Sequence, residues 1–284
     1  MRGAAGRCTL RRMKTLQKLR QCLPESRRVV VKIGSRVIVQ PSGRPDVRRL
    51  RALVGEMAAL RRRGYELVVV SSGAIAAGME ALGIRELPTS VPDLQMCAAI
   101  GQGRLMARYT ELFAKEKLLA GQILLTHDDF AHKLRLANLR RSMEHLLRAG
   151  AIPIVNENDV VADEEVKADL SLGDNDHLAS LVTRQVRADL LVLLSTTDGL
   201  RDTRPEGRNR RIPCVETIGR ELHRLVRPVE GGLSKGGMDS KLRAAEACVL
   251  AGTNVVIAHG RKAGVLTAVL AGDDVGTLFV ASSA

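Results

Sequence analysis

Arg27-Arg-Val-Val-Val-Lys-Ile-Gly-Ser35 is a short β-branched run that stops at a glycine-serine pair. It reads as a buried first strand that delivers Lys32 near its carboxyl end. Apolar residues then recur at helical spacing over 46–63 and stop at Gly64. Residues 66–71 read as a second strand, and Ser72-Gly-Ala-Ile-Ala-Ala-Gly78 turns into the next helix. The result is a β-α-β unit with a small-residue turn at the carboxyl end of a strand, the place where α/β folds seat ligands. The alternation continues with helices expected over 95–117, 134–148, 177–186 and 241–250. Strands are expected over 122–126, 152–155, 189–194, 254–258 and 276–279, and 204–211 reads as a charged Pro/Gly/Asn loop. Such an order predicts an α/β, three-layer αβα sandwich around a mainly parallel sheet. From order alone, a boundary between two lobes is expected near residue 187.

Composition agrees with that class. Of 284 residues, 45% are hydrophobic, yet there is no Trp and only two Tyr and three Phe, so the core is built from aliphatic side chains. The formal charge is +13, of which residues 1–28 carry +8 from nine Lys/Arg against Glu25, leaving +5 for the rest. Charge gathered in one segment, with few aromatic platforms for bases, weighs against a nucleic-acid-binding protein, the more distant of the readings. Residues 1–26 are expected to be a disordered basic extension, a targeting peptide or an upstream start. No run of 18 apolar residues exists, so no membrane span is expected. The five cysteines Cys8, Cys22, Cys97, Cys214 and Cys248 form no C-x-x-C pair, which fits reduced thiols in the cytoplasm.

Polar residues stand at strand ends where core packing does not ask for them. Lys32 beside Gly34-Ser35 is costly to bury without an anion, so it either reaches a rim or meets phosphate. Ser72 is either a helix N-cap or a ligand contact. Asn156-Glu-Asn-Asp159 and Gly173-Asp-Asn-Asp176 crowd amides and carboxylates that suit a zwitterion or a metal. Ser195-Thr196 ends another strand. Gly232-Leu-Ser-Lys-Gly-Gly-Met-Asp-Ser-Lys241 is a glycine-rich turn between two lysines, running into a helix. It suits an anion, although it lacks Walker A spacing.

In this order, Val-Val-Val-Lys-Ile-Gly-Ser, Ser-Ser-Gly-Ala-Ile-Ala-Ala-Gly, Gly-Gln-Gly-Arg-Leu, Val-Asn-Glu-Asn-Asp, Gly-Asp-Asn-Asp and Gly-Gly-Met-x-x-Lys resemble the glutamate 5-kinases of the amino acid kinase family. The resemblance covers about residues 27–280. It implies phosphorylation of the L-glutamate side chain by ATP with Mg²⁺, as the first step towards proline, and no metal held by protein side chains. It implies that Lys32, Lys241 and Asp176 are catalytic, the two lysines approaching the transferred group from opposite sides and Asp176 holding them in register. Ser72, Asp159, Asn175, Asn156 and Asp174 are implied to bind glutamate. The nucleotide falls to Lys32, Gly34, Ser195, Thr196, Lys235, Gly236, Gly237, Met238, Asp239, Ser240 and Lys241, with glycine N–H groups facing phosphate.

The same resemblance implies a glutamate-binding lobe over about 27–187 and an ATP-binding lobe over about 188–284; the C-terminal PUA domain that many bacterial members carry is not expected here. It further implies a homodimer or homotetramer and feedback inhibition by proline. Sibling kinases acting on acetylglutamate, carbamate or UMP are the nearer alternative. Ser234-Lys235, Thr196 and Arg201 depart from the usual family residues, all on the ATP side.

Overall fold

The computed structural model describes residues 17–162, 175–204, 207–225 and 237–282. Among these, ten strands alternate with helices: β1 (Arg28–Ile33), α1 (Val47–Arg62), β2 (Glu66–Val70), α2 (Ala74–Leu82), α3 (Val91–Lys115), β3 (Ala120–Leu125), α4 (Lys133–Arg148), β4 (Ile152–Glu157), α5 (Asn175–Gln185), β5 (Leu190–Ser195), β6 (Arg201–Asp202), β7 (Arg210–Arg211), β8 (Cys214–Val215), α6 (Met238–Val249), β9 (Asn254–His259), α7 (Val265–Leu270) and β10 (Thr277–Phe279). Eight strands form one sheet in the order β3-β4-β2-β1-β5-β9-β10-β8, while β6 and β7 make a separate hairpin. Neighbours in the large sheet pair in parallel except β9 with β10. The sandwich expected from the alternation is therefore present.

The central strand β1 shows how sequence sets the layers. Successive side chains alternate faces, so Val29, Val31 and Ile33 join the core under α1, α3 and α7, while Val30 joins the core under α4, α5 and α6. Lys32 follows Val30 in phase. The lysine is thus aimed at the layer made by α5 and α6.

Helices α2 and α3 cross so closely that a Cβ on Gly78 or Gly101 would overlap backbone atoms of the facing helix. That close approach requires glycine at both places.

The N-terminal expectation needs correction. Residues 17–20 are helical, Leu23 is fully buried, and Arg20 is 1% exposed. The Arg20 guanidinium donates to the carbonyls of Asp273 (2.7 Å), Val275 (3.0 Å), Pro213 (2.8 Å) and Gly276 (3.1 Å). A run read as basic extension up to residue 26 is thus packed from Leu19 onward, because backbone acceptors far along the chain satisfy the Arg20 charge. The hairpin β6–β7, strand β8 and helix α7 lie where no element was expected.

Candidate active site

Lys32 pairs with Val70 on one side and Leu193 on the other, near the carboxyl ends of three parallel strands. Its Nζ lies 2.6 Å from Oδ1 of Asp176, at the start of α5. Lys241, in the first turn of α6, sets its Nζ 2.9 Å from Oδ2 of the same carboxylate. All three side chains are buried, Asp176 completely. Burial alone would raise the Asp176 pKa, but the two ammoniums outweigh it and hold the carboxyl at about 2. Ser240 donates to Asp176 Oδ2 (3.0 Å) and to the Gly237 carbonyl (3.1 Å), and Lys241 Nζ donates to the same carbonyl (3.3 Å).

Helix α6 begins at Met238, three residues before the expected start. Met238, Asp239 and Ser240 therefore occupy its first turn. Met238 packs on the core, and Asp239 pairs with Arg243 at 2.8 Å one turn on, so neither is presented as a loop residue. Lys235, Gly236, Gly173 and Asp174 lie outside the described residues. Gly34 corrects another expectation. Its N–H donates to the Leu194 carbonyl (3.1 Å), leaving no donor for phosphate. What Gly34 supplies is space, since a Cβ there would sit 3.8 Å from Lys32 Nζ and 3.1 Å from Leu194 O.

Beside the lysines lies an amide-rich pocket. The two Nδ2 protons of Asn175 are shared among three acceptors, the Ser71 carbonyl (2.7 Å), Ser72 Oγ (2.9 Å) and Asn156 Oδ1 (3.1 Å). Asn156 Nδ2 donates to Gln102 Oε1 on α3 (2.8 Å). Ser71 Oγ and Tyr109 OH share a hydrogen bond of 2.8 Å, and burial raises the Tyr109 pKa. Gly73, not Ser72, is the N-cap of α2, so the Ser72 hydroxyl serves the pocket rather than the helix.

Asp159 is half-buried in the turn after β4, where the Asn158 N–H donates to the Leu125 carbonyl (2.8 Å). Ser195 ends β5 half-buried and Thr196 follows it exposed, one strand over from Gly34. Thus Lys32, Asp176, Lys241 and Ser240 meet in one cluster and Ser72, Asn156 and Asn175 in the adjoining one. Gln102 and Tyr109 had no assigned role. The signal for Gln102 was present, an amide between glycines on an amphipathic helix, within Gly101-Gln-Gly103.

The chain is similar to known proteins along most of its length. A family model described as the amino acid kinase family matches residues 27–259. A glutamate 5-kinase from Trichlorobacter lovleyi is 41% identical over 263 residues, covering 92% of this chain and 69% of the relative. One from Clostridium acetobutylicum is 40% identical over 257 residues, covering 89% of this chain and 94% of the relative. Among solved structures, carbamate kinase from Giardia lamblia bound to AMP-PNP is similar with a TM-score of 0.59 at 17% identity, covering 91% of this chain and all of that one.

Proposed function

Because this chain belongs to the amino acid kinase family, we propose that it transfers the γ-phosphoryl group of ATP to the side-chain carboxylate of L-glutamate, giving L-glutamyl 5-phosphate and ADP, the first step towards proline. The observation that carries this reading is Asp176 clamped between Lys32 and Lys241 at 2.6 and 2.9 Å, beside the amide pocket. Two buried ammoniums thus converge at the carboxyl edge of the sheet, held there by Asp176. Ammoniums gathered in one place suit a polyanionic ligand, and a triphosphate is one.

The acceptor needs no general base, because a glutamate side chain with a reference pKa of about 4.3 is already ionised at neutral pH. Catalysis then reduces to bringing two anions into line and neutralising charge on the transferred group. Lys32 approaches that group from β1 and Lys241 from α6, while Asp176 holds both in place. Ser72, Asn156 and Asn175, with Asp159 and Asp174, bind glutamate on the β2–β4 side, within 27–187. Ser195, Thr196 and residues 235–241 take the nucleotide, within 188–284, where Gly34 leaves room for phosphate.

Both oxygens of Asp176 face ammoniums, an arrangement unsuited to a dication. A Mg²⁺ ion would be carried by the nucleotide rather than by these side chains, and would supply charge neutralisation on the phosphates. Feedback inhibition by proline at the glutamate subsite, a homodimer or homotetramer and a cytoplasmic location belong to the same reading. It is supported by the family motifs, and among the described residues no helix is long and apolar enough to cross a membrane.

An ADP-release assay with L-glutamate, N-acetylglutamate, aspartate and UMP as acceptors tests it. Turnover is expected with L-glutamate alone. Turnover with UMP alone overturns it.

A further inference from the structure

We propose that Gln102 is a specificity residue that fixes the polarity of the amide pocket and donates from its Nε2 to the α-carboxylate of the amino-acid substrate, an inference that rests on the proposed kinase activity. The Ser71 carbonyl can only accept. The Asn175 side-chain atom 2.7 Å from it must therefore be the nitrogen, since the oxygen there would set two acceptors against each other. That same nitrogen faces Asn156 at 3.1 Å, so Asn156 must present its oxygen there. Asn156 is then left to present its nitrogen to Gln102, at 2.8 Å, and Gln102 to answer with its oxygen. One backbone carbonyl thus sets the direction of three side-chain amides in series.

That direction decides which atoms are left for a ligand. Asn175 Oδ1 is buried with no hydrogen-bond partner among the described residues. Ser72 Oγ accepts from Asn175, leaving its O–H to donate. Gln102, half-buried, has its oxygen committed and its Nε2 without an acceptor among the described residues. The pocket therefore offers one acceptor and two donors. An α-amino acid presents the complement, an ammonium that donates and a carboxylate that accepts. Asn175 Oδ1 takes the ammonium, and Ser72 and Gln102 take the carboxylate.

Two variants separate donation from relay. Gln102→Glu keeps an oxygen for Asn156 Nδ2 but loses the donor, whereas Gln102→Met loses both. At neutral pH, Q102E is expected to raise the glutamate KM at least about tenfold, the scale of a lost hydrogen bond to a charged group. Its kcat and ATP KM are expected to stay within about twofold of wild type. The penalty should shrink as pH falls towards the carboxyl pKa of about 4.3, because the introduced carboxyl, once protonated, donates again. Q102M should show a larger KM penalty that does not recover with pH.

A Q102E enzyme with the wild-type glutamate KM, or with glutamate and ATP KM raised alike, overturns the inference while leaving the proposed function intact. A wild-type enzyme that turns over no glutamate overturns the function, and the inference falls with it.

Discussion

Strand β1 carries an ion cluster at each end, and the two differ in kind. At its amino end, Arg28 bonds Glu66 at 2.8 Å, Glu144 at 3.0 Å and the Val186 carbonyl at 2.7 Å, while Asp189 accepts from the N–H groups of Arg27 and Arg28. Arg27 also reaches Glu66 and Arg148 also reaches Glu144, so each of those carboxylates has two arginines, and Glu144 remains 37% exposed. At its carboxyl end, Lys32 and Lys241 share the single carboxylate of Asp176, with side chains 6% exposed or less. Water reaches the Glu144 side of the first cluster, so that pair is worth little to stability. The second is buried and gathers two ammoniums on one carboxylate. That convergence of ammoniums is the feature the proposed triphosphate site uses.

The sharpest way to break that contrast is Asp176→Asn, which leaves two buried ammoniums without the carboxylate they share. It should cost about 3–5 kcal/mol in urea unfolding at neutral pH and lower kcat as well. The pH dependence follows from the depressed pKa of Asp176. Protonation costs the folded state more than the unfolded chain, so the contribution is fully present above the ordinary value of 3.8 and is lost as pH falls through about 2. The stability gap between wild type and D176N should hold steady over about pH 5–8 and close between about 4 and 2. A gap that widens in acid would refute the charge account.

Lys241→Met separates function from stability. It removes one ammonium and keeps the Lys32–Asp176 pair, so stability should fall less than in D176N while kcat drops about 10²–10³-fold, as when one transition-state donor is removed. A loss of stability on the scale of D176N, with kcat preserved, would show that Lys241 is structural. The smallest effect belongs to the amino end. Glu144→Gln should change stability by less than about 1 kcal/mol and leave kcat and both KM values unaltered; a kinetic effect would mean that the two ends are coupled.

Much of this contrast is legible in the order of residues along the chain. Valine runs ending in Gly-Ser and Ser-Gly mark buried strands, and alternation within Val29–Ile33 places Lys32 on the face opposite Val31. The start of α6 is harder to place. Gly236-Gly237 reads as a turn extending to Lys241, yet the helix takes up Met238, and Ser240 in its first turn reaches Asp176. The Gly34 amide misleads for a similar reason: a glycine after a strand suggests a free N–H, and only pairing with β5 shows it engaged. Arg20 reads as part of a basic tail because its acceptors are backbone carbonyls more than 190 positions away, which composition does not reveal.

By itself, the sequence determined the alternating layers, the face on which Lys32 projects and the motifs that mark the family, because each depends on spacing within a short stretch of chain. Only the tertiary structure decided that Lys32, Lys241 and Asp176 form one cluster, and that the amides of Asn175, Asn156 and Gln102 share one direction. Distant segments meet through packing, and hydrogen-bond polarity is set by whichever fixed acceptor they meet, here the backbone carbonyl of Ser71.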